Sequence, residues 1–127
     1  MARETFQYAV IRVVPRIEWE EFVNVGVIVF CRTRRFLAAR TVEDCDRVRL
    51  LAPTADLTDV LAYLQAMCRV AAGEPDAGPI AALPPSERFG WLTAPSSTTV
   101  QTSPVHSGLC EDPQCTLDHL YARLIAQ

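Results

Sequence analysis

Residues 22 to 31 read Phe-Val-Asn-Val-Gly-Val-Ile-Val-Phe-Cys, a nearly continuous apolar run in which both alternating sets of side chains are hydrophobic. A strand that is apolar on both sides belongs in the interior of a sheet, not at its edge. The rest of the chain must therefore supply partner strands and cover for this segment.

Its neighbours fit that demand. Residues 6 to 14 are rich in β-branched and aromatic types and stop at Pro15, which cannot donate a ladder hydrogen bond. The Arg32-Thr33-Arg34-Arg35 segment turns the chain into a third strand over 36 to 40. Thr41 with Asp44 resembles a helix start, giving a short helix to about residue 51 that ends before Pro53. From Asp56 to Ala72, Leu57, Val60, Leu61, Leu64, Met67, Cys68 and Ala71 recur at helical spacing, and Gly73 is placed to end the helix. Residues 73 to 85 are a Pro- and Gly-rich connection, and 86 to 92 form a short helix or turn weakened by Gly90. A fourth, edge strand is expected over 98 to 109, broken at Ser103-Pro104. Asp112-Pro113 opens a C-terminal helix with Leu117, Leu120, Tyr121 and Leu124 on one stripe.

The reading is thus an α+β fold over a single domain, 1 to 127. Its mainly antiparallel sheet of about four strands has helices packed on one face, and the other face stays partly open. The element order is βββαα(α)βα.

A chain of 127 residues, 50% of them hydrophobic, can build one core without disulfides. The net charge of -3 creates no strong field toward nucleic acid or an anionic membrane surface. All basic residues are Arg, which fits the composition of a GC-rich bacterial genome. No apolar run reaches the roughly 18 residues of a membrane span, because Arg12, Glu18 and Asn24 interrupt the most hydrophobic region. The N-terminal residues lack a signal-peptide core, so a cytoplasmic location is expected. Cys31, Cys45, Cys68, Cys110 and Cys115 are then reduced thiols.

Two groups of residues carry possible chemistry. The first is the polar set on the apolar strands, Arg12, Glu21, Asn24 and Gly26. Alternation places Arg12 with Tyr8 and Val10, where its guanidinium needs either an edge or a carboxylate such as Glu20 or Glu21. Asn24 and Gly26 are expected on one face, where the glycine leaves room for another backbone, an aromatic ring or a ligand. The set can hold an anionic group, or it can be a structural Arg-Glu pair with Asn24 anchoring a loop.

The second group is His106, Cys110, Cys115 and His119, a ligand set acceptable to zinc. Helical geometry turns Cys115 and His119 away from the Leu117, Leu120 and Leu124 stripe, and the spacing matches no familiar zinc motif, so no metal and no cofactor is expected. His106 lies beside Ser103 and Ser107, but no Gly-x-Ser-x-Gly elbow or Gly-rich phosphate loop accompanies it. Glu43, Asp44 and Asp46 read as a solvated helix cap. The hydroxyl-rich stretch from Ser96 to Ser103 reads either as a protected edge or as an acceptor for an added peptide strand.

Four segments together resemble the bacterial domain-of-unknown-function family numbered 3037. They are Tyr8-Ala-Val-Ile-Arg12-Val-Val-Pro15, Glu21-Phe-Val-Asn24-Val-Gly26, Trp91-Leu-Thr-Ala-Pro95 and Val100-Gln-Thr-Ser-Pro-Val-His106-Ser-Gly108-Leu. The resemblance implies a small protein associated with a HipA-like kinase as partner or regulator. It reaches Arg12, Glu21, Asn24, Gly26, Gln101, His106 and Gly108, but not Cys110, Cys115 or His119. Where the family pattern has an Arg after Ala94-Pro95, this chain has Ser96-Ser97.

The expected function is a non-enzymatic interaction or accessory module. The alternative is a small enzyme or nucleotide/phosphate-binding protein built on Arg12, Glu21, Asn24, Gln101 and His106. Self-association is compatible with either.

Overall fold

The computed structural model describes residues 3–95 and 99–126. Strands β1 (Glu4–Val13), β2 (Val23–Cys31) and β3 (Phe36–Thr41) come first, then helices α1 (Asp46–Leu51), α2 (Val60–Ala72) and α3 (Pro85–Leu92). Strands β4 (Val100–Thr102) and β5 (His106–Cys110) and helix α4 (Pro113–Leu124) complete the chain. The sheet runs β3-β2-β1, and β4 and β5 both pair antiparallel with the remaining edge of β1.

The segment apolar on both sides is therefore interior, with β1 and β3 as its neighbours. The expected fourth strand occupies one sheet position but is cut in two by Pro104. Ser103 spans the cut: its N–H donates to the Val10 carbonyl at 2.8 Å, and its Oγ accepts the Val10 N–H at 2.9 Å. A side chain thus replaces the backbone acceptor lost at the break.

A β-bulge lies in β2. Ile11 stands opposite Gly26 and Arg12 opposite Asn24, so Val25 is the extra residue. The bulge reverses the alternation, placing Val25 with Ile28 and Phe30 on one face while Val27, Val29 and Cys31 point to the other.

Helices α1, α2 and α3 pack on the first of these faces. Val48, Val60, Leu64, Met67, Ala71 and Phe89 join Ala9, Ile11, Val13, Val25 and Phe30 in one core. On α2 the buried positions follow helical spacing, and Gly73 ends the helix in the left-handed conformation at φ 70°. The helix begins at Val60, later than Asp56, because Asp56 Oδ1 accepts the Thr58 N–H and holds these residues in a turn. Likewise α1 starts at Asp46, with Asp44 Oδ1 accepting its N–H, while Thr41 ends β3.

The expectation of helices on one face holds for α1 to α3 and not for α4. Leu117 and Ile125 pack with Phe6, Val27, Val29, Cys31 and Cys110 on the opposite face. The N-terminus of α4 is set as its sequence requires, with Asp112 accepting the Gln114 N–H at 3.0 Å and Pro113 in the first turn. Among the described residues, no helix is long and apolar enough to cross a membrane.

Candidate functional site

Helix α4 lies over β2 and β3, where Tyr121 sits under the guanidinium of Arg40 at 4.2 Å. Leu117 of α4 also helps bury Phe6 of β1 and Cys110 of β5, and exposure on that face increases from there toward Arg12 and His106. Tyr8, Val10, Arg12, Asn24 and Gln101 are partly exposed and His106 is exposed.

Arg12 is the centre of this surface. Register places Asn24 of β2 on one side of it and Gln101 of β4 on the other, so the three residues form one row across adjacent strands. With strands about 4.8 Å apart the row is roughly 10 Å wide. The Arg12 guanidinium lies 4.3 Å from the centroid of Phe22. Its Nε is buried and has no hydrogen-bond partner, and among the described residues none of the ion pairs includes Arg12.

Neither Glu20 nor Glu21, the carboxylates expected to balance Arg12, forms an ion pair with it. Glu20 adopts φ 56° as the chain turns toward β2, and Glu21 borders a small crevice with Pro15, Arg16, Trp19, Leu51 and Ala52. Gly26 also leaves the set. The bulge puts it opposite Ile11, and a Cβ there would meet the Arg40 carbonyl oxygen at 2.8 Å. The room it makes is filled by the β3 backbone, and its expected shared face with Asn24 does not occur.

His106 stands opposite Tyr8, with ring centroids 5.2 Å apart and planes inclined at 35°. Tyr8 and Arg12 occupy the same face of β1 four residues apart, a separation of about 13 Å at the backbone. The row and the aromatic pair lie on one face of the sheet, with Val10 between Tyr8 and Arg12 on β1.

Over residues 8–125 the chain matches the family described as "Protein of unknown function (DUF3037)". The chain belongs to this family. No curated protein and no solved structure matches it. The family match spans every part of the surface just described, from Tyr8 to His106.

The zinc-like string is dispersed. His106 and Cys110 lie at opposite ends of β5, whereas Cys115 and His119 are exposed on α4. Among the described residues, no group of three or more His, Cys, Asp or Glu side chains is placed to hold a metal ion. Cys115 donates to Asp112 at 3.3 Å, and that bond to a carboxylate raises its thiol pKa. Burial raises Cys110 and Cys45. Three of the five thiols are thereby pushed away from the reactive thiolate.

Of the hydroxyl-rich stretch, Ser96, Ser97 and Thr98 lie outside the described residues. Ser103 is engaged with the backbone of Val10 and donates to the Pro104 carbonyl at 2.9 Å. Gln101 also borders a second depression, an apolar groove of about 360 Å³ whose walls include Tyr63, Met67, Trp91 and Pro95.

Phe22 and Tyr8 were not among the expected site residues. Tyr8 had a signal, since strand alternation already grouped it with Arg12. Phe22 precedes β2, and no local pattern announces its ring beneath the guanidinium.

Proposed function

We propose that this domain is a binding module whose partly exposed sheet surface around Arg12 takes an anionic group. The observation that carries the reading is the half-buried Arg12 guanidinium, which has no carboxylate partner among the described residues. A half-buried guanidinium without a carboxylate is costly in the free protein, and an incoming carboxylate or phosphate would supply acceptors to its terminal nitrogens. The Phe22 ring restrains the guanidinium plane, so its fork is pre-oriented for bidentate recognition. The amides of Asn24 and Gln101 stand on either side as hydrogen-bonding groups.

Binding without turnover is the simpler assignment. The His106 ring is tilted against Tyr8 about 13 Å from the Arg12 position, and the Ser103 hydroxyl is already engaged. Both features work against an assembled nucleophile and base. The HipA-like kinase implied by the family resemblance would meet the same site if it offered an acidic or phosphorylated side chain.

Calorimetric titration of the purified protein with inorganic phosphate, pyrophosphate and citrate tests the reading. Binding is expected to weaken at least tenfold in Arg12→Gln while the melting temperature of the free protein holds or rises. Equal binding by Arg12→Gln, or no binding of any anion by the wild type, would overturn it.

A further inference from the structure

The surface around Arg12 has a second end, and the distance between the two ends restricts the ligand. Tyr8 and His106 form a tilted aromatic pair whose outer member is exposed. It stands on the same sheet face as Arg12 and about 13 Å from it along β1. Aromatic side chains displayed on an open sheet are stacking platforms for planar rings. A guanidinium flanked by amides is an acceptor-seeking site for phosphate.

From this arrangement we infer that the ligand is a nucleoside di- or triphosphate, with its base against the Tyr8–His106 pair and its phosphates at the Asn24–Arg12–Gln101 row. The inference rests on the anion reading above and narrows it. A lone phosphate occupies only one end, and a phosphorylated tyrosine carries its charge directly on its ring and is too short for both. A base joined through a ribose to two or three phosphates spans the separation, with Val10 as apolar floor beneath the sugar. A nucleic-acid strand fits poorly, because Arg12 is the one cation in the row and the chain carries a net charge of -3.

The test compares ADP, adenosine and pyrophosphate by calorimetry on the full chain, with wild type, Arg12→Gln and His106→Ala. His106 is exposed, so its replacement leaves the core intact; Tyr8→Leu serves as a second probe of the same end. ADP is expected to bind about tenfold or more tightly than pyrophosphate or adenosine, the weight of one base–aromatic stack. His106→Ala should bring ADP down to the pyrophosphate level without changing pyrophosphate binding, and Arg12→Gln should weaken both.

Pyrophosphate binding with ADP no tighter overturns the nucleotide assignment and leaves the anion reading standing. Tighter ADP binding unaffected by both His106→Ala and Tyr8→Leu likewise overturns it. Failure of all three ligands to bind removes the nucleotide assignment, and failure of citrate and phosphate as well removes the anion reading with it.

Discussion

Gly26→Ala separates a structural glycine from one that faces a ligand. A methyl group at this position would stand 2.8 Å from the Arg40 carbonyl oxygen, 2.8 Å from Thr41 Cγ2 and 3.3 Å from Thr41 Cα. Thr41 Cγ2 can rotate away, but the carbonyl oxygen and Cα belong to β3. Relief requires β3 to shift from β2 by several tenths of an ångström beside the Val42 N–H to Val25 carbonyl bond of 2.8 Å. Overpacking of this kind costs about 1–3 kcal/mol, and backbone involvement puts Gly26→Ala in the upper half of that range, about 2–3 kcal/mol. For a domain of this size that is a fall of roughly 7–11 °C in melting temperature.

Gly90→Ala is the matched control. Nothing lies within 4 Å of its added methyl and the position is inside α3, so Ala should stabilise by about 0.5–1 kcal/mol. Thermal melts with amide exchange at Arg40 and Val42 read both effects. If Gly26→Ala melts like the wild type yet loses anion binding, the bulge assignment is wrong and Gly26 faces the ligand.

Three further outcomes are expected. Ser103→Ala leaves the Val10 N–H without its acceptor, which should cost about 1–2 kcal/mol and speed exchange of that amide above its strand neighbours; unchanged exchange at Val10 would count against the splice. The Asp112 carboxyl is held below its usual range by hydrogen bonds from Cys115 and the Gln114 N–H. Its contribution is therefore present above the unfolded carboxylate pKa of about 4 and disappears as pH falls through the lower folded value. Asp112→Asn, which keeps a capping oxygen, should flatten this acid limb of the melting curve, and an unaltered limb would refute the assignment. Among the thiols, exposed Cys115 should be alkylated in the native protein while Cys31, Cys45 and Cys110 wait for unfolding; Asp112→Asn should speed Cys115 labelling near neutral pH by removing the carboxylate that disfavours its thiolate.

Local chemistry made most of the elements readable. Pro15, Gly73 and Asp112-Pro113 mark ends and starts through backbone constraints that act within a few residues, and the strand and helix periods between them are carried by side chains in sequence order. The bulge at Val25 was not readable, because it is a property of pairing between two strands and leaves both strands with ordinary apolar sequences. That single extra residue moved Gly26 out of the candidate site and left Asn24 beside Arg12. The missing Arg12 carboxylate is a failure of the same kind: Glu20 and Glu21 are near in sequence, but neither is paired with Arg12 in the fold.

The placement of α4 could have been inferred from the feature that organises the whole fold. Val27, Val29 and Cys31 are as apolar as Val25, Ile28 and Phe30, and all six are buried; a strand with two apolar faces requires cover on both. One face has three helices to supply it. The other has only α4, and a helix about 10 Å in diameter covers roughly two strand positions of a sheet four positions wide. Because β2 is the most apolar strand on that face, burial is greatest when α4 sits over β2 and β3. The same choice covers Phe6 and Cys110 but leaves the Tyr8-to-Arg12 part of β1 and most of the split outer strand partly exposed. The polar row and the aromatic pair occupy the strip that one helix cannot reach, so lengthening α4 would not close it, whereas a second helix or a bound ligand would.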